Sequence, residues 1–142
     1  MLKKRIIPKF LLSGGNLVKG VRFNAPFRTA GNPVSSAKVY DAYGADELLL
    51  VDIEAAPEKR TIDVNLIKKV SETVFMPLTV GGGIRHLEHI AAMLLAGADK
   101  VCLNSAAVDT PDFIQKAAVQ YGSQCIVVGI DYKKNSQGRA EV

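Results

Sequence analysis

A chain of 142 residues, 48% of them hydrophobic, carries enough apolar material for the core of one ordinary domain. Its 18 basic and 14 acidic side chains leave a net charge of +4, dispersed apart from a small cluster at Lys3, Lys4 and Arg5, and only 6% of residues are aromatic; that pattern argues against a nucleic-acid-binding surface and suits an anionic small molecule. No run reaches the roughly 18 to 20 apolar residues of a membrane span, and the N-terminus lacks a signal-peptide pattern, so the cytoplasm is the expected compartment.

Taken in chain order, short apolar, β-branched runs alternate with longer amphipathic stretches, the signature of repeated βα units on a parallel sheet. Five runs are predicted strands: Arg5 to Leu12, Glu47 to Ile53, Met76 to Val80, Lys100 to Asn104 and Gln124 to Asp131. Their nearly continuous hydrophobicity fits strands buried on both faces. Four helices are predicted between them, at about Val34 to Tyr43, Asn65 to Val74, Leu87 to Ala96 and Thr110 to Tyr121. Pro33 and Pro111 sit near first turns, and Gly44, Gly97 and Gly122 fall just past helix ends. Ser13 to Asn32, rich in Gly, Asn and Arg, reads as one long loop, of the kind that carries function more often than not, with disorder as the alternative.

The last strand is followed by a polar turn from Lys133 to Arg139, with no fifth helix. The fold class expected is therefore α/β, of the (β/α)8 TIM-barrel type, represented by an N-terminal half-barrel of four βα units plus a fifth strand, one domain over residues 1–142. Such a set cannot close an eight-stranded barrel, which takes about 250 residues. Two explanations stand: a portion of a longer product, or a half-barrel that covers its open edges with another chain. The former is preferred, because a strand without its helix is a poor natural end.

In parallel βα architectures chemistry gathers at the C-terminal ends of strands. Those positions hold Asp52, then Gly81-Gly82-Gly83, then Asn104-Ser105, then Asp131, whereas the first strand ends in Leu11-Leu12. The glycine triplet is either a phosphate cradle, its backbone N–H groups unobstructed by Cβ atoms, or a tight turn in which glycine serves packing. Asn104 and Ser105 would add an amide and a hydroxyl to the same oxygens. Asp131 has the alternation of an inward rim carboxylate whose partial burial would suit acid–base work; the alternative is a capping or salt-bridged role near Lys133 and Lys134. Asp52 has the opposite parity to Glu47, Leu49 and Val51, which turns it toward the helices as a structural group.

At the other end, Arg5, Glu47 and Lys100 begin three strands, where opposite charges would converge on a barrel floor. A salt-bridged plug serving stability accounts for this pattern. Lys9 shares the parity of Arg5 and Ile7, so it would point into the barrel interior and need either a partner there or a shifted pKa. Cys102 and Cys125 lack ligand spacing and read as buried, reduced thiols, with no metal site.

Several stretches together resemble the cyclase subunit (HisF) family of imidazole glycerol phosphate synthase: Arg5-Ile6-Ile7, Leu17-Val18-Lys19-Gly20, Gly31-Asn32-Pro33-Val34, Gly44-Ala45-Asp46-Glu47-Leu48, Val51-Asp52-Ile53, Val80-Gly81-Gly82-Gly83-Ile84, Gly97-Ala98-Asp99-Lys100-Val101, Asn104-Ser105-Ala106-Ala107 and Tyr121-Gly122-Ser123-Gln124. The resemblance covers essentially the whole chain and is nearer to HisF than to its isomerase relative HisA. It implies a glutaminase partner (HisH-like) docked on the floor and ammonia passing through the barrel to a phosphorylated ribonucleotide. The products would be imidazole glycerol phosphate, for histidine biosynthesis, and an aminoimidazole carboxamide ribotide. No cofactor or metal is implied.

By resemblance, Asp131 is the catalytic aspartate, Gly82, Gly83, Asn104 and Ser105 belong to a phosphate site, and Lys19 engages substrate. The same comparison makes Arg5, Glu47 and Lys100 an ammonia gate and puts Asp99 and Gln124 on the partner-facing floor. Leu11 departs from the family pattern, which has an aspartate there. Paralogues lacking that aspartate resemble this chain and deliver ammonia for amidination of a nucleotide-linked sugar in surface-polysaccharide synthesis; a non-catalytic phosphate-binding or assembly half-barrel is a further possibility.

Overall fold

The computed structural model of the chain describes residues 3–21 and 24–142. Seven strands form one sheet in the order β3 (Asn24–Gly31), β2 (Asn16–Val21), β1 (Lys9–Ser13), β4 (Leu48–Asp52), β5 (Leu78–Gly81), β6 (Lys100–Leu103) and β7 (Ile126–Val128), and two more form a separate ribbon. The strands β1, β4, β5, β6 and β7 are parallel to one another. Helices α1 (Pro33–Ala42), α2 (Val64–Ser71), α3 (Leu87–Leu95), α4 (Ser105–Asp109) and α5 (Asp112–Tyr121) fill the crossovers. This is an α/β sheet of βα units, as expected of half a barrel, and it is not closed.

The helix boundaries follow local chemistry. Asn32 caps α1, its Oδ1 accepting from the Val34 and Ser35 N–H groups, with Pro33 in the first turn where no donor is needed. Asp63 caps α2 in the same way through the Asn65 N–H. Gly44, Gly97 and Gly122 all have positive φ at helix ends, the conformation that glycine adopts without a Cβ penalty.

Alternation along the strands sorts the side chains. Phe10, Leu12, Leu48, Leu50, Leu78, Val80, Val101 and Leu103 are buried toward the helices, against Ala37, Ile67, Val70, Ile90, Met93, Phe113 and Ala117. Many of the intervening positions on the inner face, such as Leu11, Leu49, Val51 and Cys102, are only half-buried. The expectation of strands buried on both faces is corrected on this point, because the open sheet leaves its concave side accessible. Both cysteines are likewise half-buried, and both are free.

The stretch from Ser13 to Asn32 is not a long loop. It contains β2 (Asn16–Val21) and β3 (Asn24–Gly31), an antiparallel extension of β1; residues 22 and 23 lie outside the described residues. Gly14 and Gly15, with φ of 54° and 77°, supply the two positive-φ positions that a two-residue hairpin turn demands. The pairing Leu12↔Leu17 then buries both leucines.

The ends of the parallel strands also differ from expectation. Pro8 has no N–H to donate, and β1 begins after it, although the Pro8 carbonyl still accepts from the Leu49 N–H. Ser123–Cys125 forms a 3-10 turn, which shortens the fifth parallel strand to Ile126–Val128. The short helix α4 was not predicted. Nor was the ribbon β8 (Lys133–Lys134) with β9 (Ala140–Glu141), which flanks the predicted polar turn; there Asn135 Oδ1 accepts from the Gln137 and Arg139 N–H groups.

Candidate functional site

Strand register arranges the inner face in rows. Lys9, Leu49, Thr79 and Lys100 form one row across four strands, and Leu11, Val51, Gly81, Cys102 and Val127 form the next row toward the rim. Two residues of strand separate successive rows, ~7 Å.

Below the first row the predicted floor charges come together. Glu47 Oε2 accepts from Arg5 Nη1 at 3.1 Å and from Lys100 Nζ at 2.7 Å, and its Oε1 accepts from Thr79 Oγ1 at 2.5 Å. Glu47 is 5% exposed. Burial by itself would raise its pKa, but the hydrogen bonds from Lys100 and Thr79 and the two positive charges outweigh it and hold the carboxyl below its ordinary range. Of the other two floor residues, Asp99 clamps the start of β5: its Oδ2 accepts from the Leu78 N–H at 2.8 Å, and its own N–H donates to the Leu78 carbonyl at 2.8 Å. Gln124 is exposed on the 3-10 turn, with its amide folded against Gly122.

Above the second row lies a cavity of about 780 Å³. Its wall includes the glycine turn, Asn104, Ser105 and Asp131, and also Lys9, Leu11 and Phe27. Asn104 Nδ2 donates to Asp131 Oδ2 at 2.6 Å, so the amide at the end of β6 fixes the carboxylate beyond β7. Asp131 is exposed, which corrects the expected partial burial: on an open sheet no neighbouring strand covers it. It makes no ion pair with Lys133 or Lys134, which sit on the ribbon. Leu11 stands on the inner face as an apolar side chain in the same cavity.

Gly82 and Gly83 are demanded by packing. A Cβ on Gly83, where φ is +67°, would lie 1.8 Å from the Arg60 carbonyl oxygen, and one on Gly82 would lie 2.7 Å from that of Asp52. The segment after β4 therefore presses against the glycine turn, and the Ile62 N–H donates to the Gly82 carbonyl at 3.1 Å. Asp52 organises that segment. Its Oδ1 accepts from the Glu54 and Ala55 N–H groups, while Arg60 Nη1 and Nη2 pair with its two oxygens at 2.5 and 3.3 Å. Arg60 also pairs with Glu58, and these carboxylates raise the guanidinium's pKa further. The structural reading of Asp52 fits this geometry; the role of Arg60, eight residues on, has no local sequence signal.

Lys19 is exposed on β2, opposite Arg28 of β3, and the cavity wall does not include it. Phe27, from the same hairpin, does reach the wall, a contribution hidden while the segment is read as a loop. The expected burial of Lys9 in a barrel interior is corrected: it is exposed and makes no salt bridge among the described residues, since the inner face is open to water. Among the described residues no group of three or more His, Cys, Asp or Glu side chains is placed to hold a metal ion, and no helix is long and apolar enough to cross a membrane.

The ion-paired floor lies at one end of the inner face, and the cavity walled in part by the glycine turn lies at the C-terminal strand ends, where β/α folds carry their sites. The model of the histidine biosynthesis protein family matches residues 5–142, so the chain belongs to that family.

Proposed function

We propose that the chain supplies the ammonia-using synthase part of a glutamine amidotransferase of the HisF cyclase type. In this reading the rim holds a phosphorylated ribonucleotide, and a glutaminase subunit docks at the floor, in the cytoplasm. The observation that carries it is the stacking of the two ends: Arg5, Glu47 and Lys100 lie on the same inner face as the cavity that contains Asn104, Ser105 and Asp131.

The chemistry assigned to each group follows from its position. Asn104 and Ser105, beside the glycine turn, would anchor phosphate oxygens by directed hydrogen bonds. Asp131, held by the Asn104 amide, would shuttle protons as ammonia adds and the imidazole ring closes. Glu47, kept ionised by three partners, would open or shut the floor as Arg5 and Lys100 exchange it for the docked glutaminase.

Leu11 favours a second reading. With an aliphatic side chain where the family cyclase has a carboxylate, shared acid–base cyclisation loses one participant, a deficit of about 10² to 10⁴ in rate. Ammonia transfer itself does not need that group, and amidination of a nucleotide-linked sugar fits a rim to which β1 brings no carboxylate.

The two are separated by complementation. The gene, expressed with its glutaminase partner in a histidine auxotroph lacking the cyclase, restores growth under the first reading. No growth, combined with ammonia-dependent amidination of a nucleotide sugar by the purified protein, selects the second. Absence of both activities would leave a phosphate-binding assembly subunit.

A further inference from the structure

Among the described residues, Lys9 is a cation of the inner face that the floor cluster does not absorb. It shares a row with Lys100, but Lys100 spends its charge on Glu47 and Lys9 pairs with nothing among the described residues. Its side chain lines the rim cavity. It also acts on the row above: burial pushes the Cys102 thiol up, and the positive charge of Lys9 partly opposes that. Lys9 therefore stands on the cavity side of the sheet.

A solvated surface lysine needs no explanation, but this one stands on a concave face beside apolar side chains. The two positions Lys9 and Leu11 together change the charge of the cavity bottom. An acidic side chain is absent from the inner face of β1, and a positive one is present. Asn104, just past the end of β6, lies two rows higher, a backbone rise of ~13 Å that the length of the lysine side chain shortens toward the span of a six-carbon sugar phosphate.

We propose that Lys9 is a specificity-determining residue that receives a second anionic group, a carboxylate, at the end of the acceptor opposite its phosphate. The inference rests on the reading of the rim as a sugar-phosphate site. A carboxylate meeting Lys9 makes a charge-assisted hydrogen bond in a partly enclosed cavity; a neutral hydroxyl at the same place does not. Carboxylates also line the cavity, Glu54, Glu58 and Asp131 among them, so an anionic group of the acceptor is placed by the cavity's cations, Lys9 and Arg85, of which Arg85 is already paired with Asp109.

Two probes separate these contributions: glucose 6-phosphate and 6-phosphogluconate, which share the phosphate and differ by a carboxylate at the other end. Titration calorimetry on the purified protein is expected to show 6-phosphogluconate binding roughly fivefold tighter, the scale of a partly exposed ion pair. Lys9→Met should abolish that preference and leave glucose 6-phosphate affinity unchanged, and Lys9→Arg should retain it. A preference that survives Lys9→Met, its absence in the wild-type protein, or an equal loss for both probes in Lys9→Met overturns the proposal while leaving the phosphate site standing. Failure of both probes to bind the wild-type protein overturns the phosphate site as well. Lys9 is exposed, so both variants are expected to fold; circular dichroism verifies it.

Discussion

Single residues at the rim carry different demands, and substitutions should separate them. Gly83 has a left-handed backbone and no room for a Cβ beside the Arg60 carbonyl. Gly83→Ala is therefore expected to cost about 2 to 3 kcal/mol in denaturant unfolding, from backbone strain and displacement of the segment after β4. Asp131 is exposed and, among the described residues, bonded through Asn104 alone, so Asp131→Asn should leave stability unchanged while lowering ammonia-dependent turnover by about 10² to 10⁴; full turnover would remove it from the chemistry. Cys102 offers a third check. Burial raises its thiol pKa, so less thiolate is present at neutral pH, and alkylation by iodoacetamide should run slower than for a free cysteine.

At the scale of elements, the helix starts test the local code. Asn32 satisfies two otherwise unpaired donors at the start of α1. Asn32→Ala should cost about 1 kcal/mol in equilibrium unfolding, and Asn32→Asp should cost far less, because either oxygen-bearing side chain can cap. The β2–β3 hairpin shows a different relation between sequence and element. Gly14-Gly15 is a hairpin signal, yet the charged and small residues after it obscure the strand pattern that follows. What secures β2 is pairing with β1, where Leu17 joins Leu12 in the core, a contact that no local window contains.

For the whole molecule, the floor cluster links stability to pH. The folded pKa of Glu47 is lowered, so its contribution is fully present above the unfolded-state value and is lost as pH falls through the folded one. Acid should thus destabilise the protein below about pH 4.5, and Glu47→Gln should flatten that part of the profile. At neutral pH the same substitution should cost about 1 to 2 kcal/mol, less than a fully buried pair, because Lys100 and Arg5 keep contact with water. Thermal unfolding followed between pH 3 and pH 7 measures both effects; an identical slope in the variant would show that another carboxylate dominates.

The five parallel strands, the four longer helices between them and the placement of Asn104, Ser105, Asp131 and the floor charges at strand ends were legible in the chain. Hydrophobic period, proline, glycine and cap residues act over a few neighbours and leave their mark in any short window. Tertiary structure decided the rest through long-range contacts. It paired Arg60 with Asp52, gave Gly82 and Gly83 their packing reason and brought Phe27 to the cavity. It also left Lys9 and Asp131 open to solvent, because burial depends on which strands stand beside an inner face, and no single strand's sequence states its neighbours.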